Sequence, residues 1–223
     1  MHIFINIYGQ QRSLNNTLNM INNYISNSSD TFHILYTGWE HEEPNFEKEF
    51  PTAYINRIKK NEELIDIYLN SYNNIHLDHT NIANGKNMRH IIYGYYIKSK
   101  TADTINDYIE KTSIEPNYII TMRTDTLLYT NINDIYNTLN ENNVYVATEP
   151  ILDIYKVGSC PDSFITANKE NTLKIVNQLY NLYHCVVSGT NFIHPETSFF
   201  AYLKYNKFTI VRLPIKAHVY HNI

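Results

Sequence analysis

The chain has 223 residues, 43% of them apolar and 13% aromatic, which is enough to bury a full core in one domain. Its 18 Lys and Arg stand against 22 Asp and Glu, net −4, with no basic stripe and no block of like charge, which argues against a nucleic-acid or anionic-membrane surface. Two cysteines, Cys160 and Cys185, exclude a disulfide framework and a four-cysteine zinc site and suit a reducing compartment. No eighteen apolar residues run together, and the opening MHIFINIYGQQR has neither a basic lead nor a small-residue cleavage site, so a non-secreted protein with no integral membrane segment is expected. Heavy use of Asn, Ile, Tyr and Lys is what A/T-rich coding produces, and the acceptor patterns at Asn15 and Asn27 carry little weight against that background.

In chain order, HIFINIY (2–8) is a β-branched strand that stops at Gly9, after which Leu14, Leu18, Ile21 and Ile25 recur at helical spacing behind Ser13. FHILYTGW (32–39) is a second strand, followed by a polar loop, EHEEPNFEKEFP. Two strands around one amphipathic helix make a βαβ unit, with parallel pairing and a right-handed crossover. The alternation continues with a helix near 61–70, a strand at 74–78, helix over about 86–112, a strand at 117–122, a helix near 132–140 and a strand at 144–148. Helix 170–183 and a helix–strand pair over 197–212 complete the chain. The pattern predicts an α/β sandwich around a mostly parallel sheet, with ligands beyond the carboxyl ends of the strands.

Those ends carry the polar clusters GQQR (9–12), TGWEHEE (37–43) and RTD (123–125). Asp125 offers a hard oxygen to Mg²⁺ or Mn²⁺, and Arg123 offers a guanidinium to phosphate; two apart on a strand, the pair can equally close on itself as an ion pair. In the first cluster Gly9 permits a tight turn, Arg12 can reach an anion, and Ser13 caps a helix whose free N–H groups suit phosphate. A nucleoside diphosphate fits such a rim. Neither a GxGxxG fingerprint nor a GxxxxGK[ST] loop occurs, which disfavours a dehydrogenase and a P-loop NTPase. Trp39, the single tryptophan, ends the second strand, where its ring could stack on a base or sugar or pack in the core.

The run GQQR-S-L, FHILYTGW, YIITMRTD, PDSFITANKENTLKIVNQLY (161–180) and HPETSFFAYLKYNKFTIVRLP (194–214) resembles the WavE-type glycosyltransferases and related enzymes of bacteria and large DNA viruses. The resemblance implies a single GT-A-like domain with a Rossmann-like N-terminal half, residues 1–125 binding nucleotide and 126–223 binding acceptor. It implies transfer of a sugar from a UDP- or GDP-linked donor to a saccharide or glycoprotein acceptor, assisted by Mn²⁺ or Mg²⁺, in the cytoplasm, or the host cytoplasm for a virus. Gly9, Gln10, Arg12, Trp39 and Arg123 would then hold the nucleotide. Asp125, with His218 or His221 of HVYH, would hold the metal, although Arg-Thr-Asp stands where such enzymes usually have Asp-x-Asp, and the first carboxylate is missing. Asp162 would face the sugar or acceptor, and Glu196 would act as base or bind the acceptor hydroxyl. The residues alone also allow Asp162 to be a turn former after Pro161 and Glu196 a helix-start carboxylate. The alternative function is a catalytically inactive nucleotide- or glycan-binding module of the same fold. His79, His90 and His184 have no partner at metal-ligand spacing. Hydrolase chemistry at the SGT of 188–190 or at Cys185 lacks its local signature.

Overall fold

A computed structural model describes residues 1–10, 14–26, 28–42, 45–73, 88–128, 139–147, 162–181, 195–213 and 217–219. Strand β1 (His2–Tyr8) runs into helix α1 (Leu14–Ser26) and returns as β2 (Thr31–Trp39), parallel to β1 from His2 opposite Thr31 to Tyr8 opposite Thr37. Five of the seven β1 residues are Ile, Phe or Tyr, a composition that suits a strand buried on both faces.

The stretch expected as a polar loop holds a short helix, α2 (Asn45–Glu49), and is followed by a strand that periodicity does not reveal, β3 (Tyr54–Ile58), parallel to β2. Asn56 and Arg57 interrupt β3, and each has a partner. Asn56 donates to Thr104 Oγ1 at 3.0 Å, and Arg57 grips Glu47 through Nε at 2.9 Å and its terminal nitrogen at 2.7 Å.

Helices α3 (Glu62–Asn73) and α4 (Met88–Thr112) precede β4 (Tyr118–Arg123) and a short β5 (Thr126–Leu128). Then come β6 (Asn143–Ala147), β7 (Phe164–Ala167), helix α5 (Lys169–Val176) continuing as a 3-10 turn (Asn177–Asn181), helix α6 (Pro195–Tyr205), β8 (Thr209–Leu213) and β9 (Ala217–Val219). Helix α5 opens on Asn168, whose side chain accepts from the Asn171 N–H at 2.8 Å. The helix expected over 170–183 thus tightens after Val176. The expected strand at 74–78 and most of the helix near 132–140 lie outside the described residues.

Seven strands form one sheet in the order β3-β2-β1-β4-β7-β6-β8, parallel throughout except that β7 runs against both its neighbours. The mostly parallel α/β sheet is as expected; β7, only four residues long and buried throughout, is a second strand that the sequence pattern conceals. The pleat sorts β1 between two layers. Ile3, Ile5 and Ile7 meet Ile21 of α1, Tyr36, Phe46, Met122, Phe164 and Leu213, so residues from both ends of the chain share this layer. Phe4 joins Leu35, Ile105 and Ile119, and Tyr8 joins Trp39, Ile92, Tyr96 and Ile97, both beneath α4. A second, two-stranded sheet pairs β5 with β9. Among the described residues no helix is long and apolar enough to cross a membrane.

Candidate functional site

The parallel register sets Tyr8 against Thr37 on one side and against Arg123 on the other, so β1, β2 and β4 finish together. Past that line each chain is pinned by its neighbours. Gly9 takes φ +112°, a region that side-chain-bearing residues rarely enter, and its N–H reaches Thr37 O at 3.2 Å. Thr124 N donates to Tyr8 O at 3.0 Å, and the Thr124 hydroxyl donates to Gln10 O. From α1, the buried Thr17 hydroxyl lies 2.8 Å from Thr124 O and 3.1 Å from Thr126 O. The turn after β1 and the Arg-Thr-Asp segment after β4 are therefore one hydrogen-bonded unit.

Across β4, Arg123 N donates to Ser163 O at 3.2 Å and the Thr126 hydroxyl to the same carbonyl at 3.0 Å, which brings the start of β7 to the rim. Asp162 arrives with it, and the Tyr8 hydroxyl donates to its carbonyl at 3.3 Å.

Arg123 and Asp125 point the same way and close on each other, Nε to Oδ1 at 3.0 Å and the terminal nitrogen to Oδ2 at 2.7 Å. Asp125 is nearly covered, at 7% side-chain exposure, whereas Arg123 keeps 31% open to solvent. Burial works against the Arg123 charge, but Asp125, Asp162 and Tyr8 outweigh it and push the guanidinium pKa above its ordinary value. Tyr8 is pushed well above the usual phenol range, first by burial, then by Asp162 and Asp125, with Arg123 opposing. At neutral pH the cluster holds a neutral phenol and a fixed, partly exposed arginine cation.

Trp39 is at the rim but packed, at 3% exposure: its ring stacks on Tyr96 at 6.2 Å and meets Tyr93 edge-on at 5.9 Å. It occupies the core position that a lone tryptophan can equally take. Glu196 lies in the first turn of α6, and His218 lies on β9 opposite Leu127, two residues along β5 from Asp125. Arg12 and His221 lie outside the described residues.

Among the described residues no three His, Cys, Asp or Glu side chains cluster as a metal site. What the backbone does bring to one strand end is a carboxylate residue, Asp125, and a histidine position, His218. Both oxygens of that carboxylate already accept from Arg123, so the described residues form no protein cage for an ion, and one taken here would be shared with a ligand.

No protein-family model matches the chain, and no curated protein matches it in sequence. Solved structures do match its backbone. The apo form of mouse xyloside xylosyltransferase 1 superposes with a TM-score of 0.51 at 10% identity, over 96% of this chain and 85% of that one. An active-site mutant of LgtC gives 0.52 at 12% identity, over 94% and 72%. Both are GT-A-type glycosyltransferases. The chain has a GT-A fold.

Within this GT-A fold, three residues that build the rim escape a reading of the sequence: Tyr8, Thr17 and Thr124. Tyr8 reads as one more strand aromatic. Its one local signal is its place, the last residue before Gly9 and on the β1 face opposite Ile7. Thr17 and Thr124 act on backbone carbonyls more than a hundred residues away, which no local spacing encodes.

Proposed function

We propose that this chain is a nucleotide-sugar-dependent glycosyltransferase, moving a sugar from a UDP- or GDP-linked donor to a saccharide or protein acceptor. One observation carries the reading: the ends of β1 and β4 lie side by side, and at their meeting point a partly exposed guanidinium is fixed by a buried carboxylate. The two similar structures with superposable backbones are both sugar transferases, one acting on a xyloside.

Departure of a nucleoside diphosphate from the anomeric carbon builds negative charge on the β-phosphate, and a cation already in place meets that charge without reorganising. Arg123 is that cation. Its bidentate bond to Asp125 fixes the plane of the guanidinium, leaving its exposed edge for phosphate oxygens. Arg12, two residues after Gln10 in the sequence, is the second phosphate cation, and the Gly9–Gln10 backbone supplies the bend. A divalent ion, when bound with the diphosphate, would be held by Asp125 with His218 or His221 and would add Lewis-acid stabilisation of the leaving group. Tyr8, neutral and buried, fixes the Asp162 carbonyl, so that Asp162 is presented to the sugar or acceptor. Glu196 serves as base toward the acceptor hydroxyl or as its ligand.

Incubation with a panel of UDP- and GDP-sugars and assay of released nucleoside diphosphate tests the reading. Release from one donor, abolished in Asp125→Ala, is the expected result. Nucleotide binding without release from any donor would instead make the chain an inactive binding module.

A further inference from the structure

Tyr36 of β2 is 0% exposed, and its ring is boxed in: Phe46 of α2 stacks on it at 4.3 Å, 8° from parallel, and the Arg57 guanidinium lies 5.2 Å from its centre. Arg57 is itself held, by Glu47 at 2.7 Å and by Trp39 O at 3.1 Å. The ring lies along the strand over Gly38, where a Cβ would stand 2.6 Å from Tyr36 Cε1, closer than a methyl can come. A ring so fixed aims its hydroxyl at the turn after β1, where Tyr36 Oη lies 3.1 Å from Gly9 O. Glu42 Oε2 is also 3.1 Å from the hydroxyl, and a phenol has one proton for the two acceptors. Glu42 Oε2 receives the Trp39 N–H at 3.3 Å as well and stands 3.6 Å from Arg57. Already supplied by those donors, the carboxylate can leave the phenol proton to Gly9 O.

The next carbonyl of the turn is held from the opposite side, since the Thr124 hydroxyl, just past β4, donates to Gln10 O. The Gly9–Gln10 peptide is thus clamped between β2 and β4. Across a trans peptide the carbonyl and the N–H point opposite ways. Tyr36 shares a sheet face with its register partner Ile7, whereas Tyr8 and its register partner Arg123 lie on the other face. A Gly9 carbonyl drawn to Tyr36 therefore turns the Gln10 N–H away from Tyr36 and toward the face that carries Arg123.

We infer that Tyr36 is a positioning residue of the donor site: its hydroxyl sets the Gly9–Gln10 peptide so that the Gln10 N–H serves, beside Arg123, as a donor to the diphosphate. The inference rests on the glycosyltransferase reading and adds to it an uncharged backbone donor and the side chain that aims it. A preoriented N–H meets a phosphate oxygen without reorganising, and a hydrogen bond to an ionised acceptor is stronger than one between neutral groups. Tyr36 itself does not touch the diphosphate; it acts through the peptide.

The test is Tyr36→Phe beside Glu42→Gln, each titrated calorimetrically with UDP and GDP at 10 °C, with near-ultraviolet circular dichroism to report the fold. Tyr36→Phe keeps the ring and removes only the hydroxyl. It should stay folded and lose fivefold or more in affinity for the nucleoside diphosphate that the parent binds. Glu42→Gln keeps an acceptor for the Trp39 N–H and should bind within twofold of the parent. A Tyr36→Phe variant that binds as the parent does, or that loses its fold, makes the hydroxyl structural and overturns the assignment while leaving the glycosyltransferase reading intact. Equal losses in the two variants overturn it as well, because the hydroxyl then serves Glu42 and not Gly9. A parent that binds neither nucleotide overturns the glycosyltransferase reading, and this inference with it.

Discussion

Arg123 and Asp125 hold each other through two bonds, at 3.0 and 2.7 Å, with the carboxylate buried and 31% of the arginine side chain open to solvent. The planar fork is what makes the pair specific, since a lysine would offer only a point charge. Arg123→Lys is therefore expected to lower kcat/KM by a hundredfold or more with little loss of stability. Asp125→Ala should also destabilise, because it strands a cation. Removing one partner of a fully buried pair costs about 3–5 kcal/mol, and the 31% exposure of Arg123 reduces this to about 1–3 kcal/mol. Urea unfolding reads the stability, and nucleoside diphosphate release reads the activity. Parent-like turnover in Arg123→Lys would remove the guanidinium from the mechanism.

Tyr8→Phe deletes the bond to the Asp162 carbonyl and leaves the ring's place in the packed cluster. A neutral hydrogen bond contributes about 0.5–1.5 kcal/mol, so the fold should persist. If Tyr8 positions Asp162, kcat should fall several-fold with KM nearly unchanged. A change in KM alone would mean that the phenol acts on binding instead.

At Gly9 a side chain would meet Thr124 Oγ1 at 3.4 Å, an ordinary contact, so space is not the obstacle. The obstacle is φ +112°, which an alanine adopts only under strain of about 1–3 kcal/mol. Gly9→Ala should lower stability by that amount and disturb the Gly9 to Thr37 bond that sets the rim. An unchanged unfolding midpoint would show that the turn relaxes freely.

Much of this was legible in the sequence, for physical reasons that also mark where legibility stops. The βαβ start is strongly patterned, because β1 and β2 are long, β-branched and separated by a periodic helix. The polar rim follows from it, since a central parallel strand that ends in Arg-Thr-Asp must place those residues at the carboxyl edge. Strand β3 escapes because Asn56 and Arg57 interrupt its apolar run, each satisfied by a residue outside the strand. Strand β7 escapes because four buried residues ahead of a helix look like the helix approach. Trp39 shows the converse limit: its position was right, but only packing against Tyr93 and Tyr96 reveals that the ring is covered.

At the opposite, amino ends of β1 and β2, His33 lies between His2 and Tyr108. His33 Nδ1 lies 2.8 Å from the Tyr108 hydroxyl, and its Nε2 lies 2.9 Å from His2 Nδ1. Burial, and then His2, lower the His33 pKa below its usual value near 6.5. A base whose folded-state pKa is depressed binds fewer protons folded than unfolded across that interval. Stability is then complete above the unfolded value and declines as the pH falls through it toward the folded one. Urea melts at pH 7.5, 6 and 5 should show that decline, and His33→Gln should flatten it relative to the parent. Parallel curves for parent and variant would place the titration elsewhere.

The metal question has its own experiment, because a ligand that binds only the native state adds folding free energy by mass action, about 2.7 kcal/mol at a hundredfold excess over Kd, and so raises the melting temperature. Asp125 and His218 are brought to one strand end by the β5–β9 register, so a divalent ion should bind there mainly together with diphosphate oxygens. UDP or GDP with Mn²⁺ should accordingly stabilise more than nucleotide and metal do separately, and His218→Ala should remove the excess while leaving the metal-free nucleotide shift in place. If the proposed role of Arg123 holds, Arg123→Lys should reduce that remaining shift even in EDTA. A nucleotide shift indifferent to Mn²⁺ in the parent would assign the whole diphosphate to Arg123 and Arg12 and leave Asp125 as the anchor of the guanidinium alone.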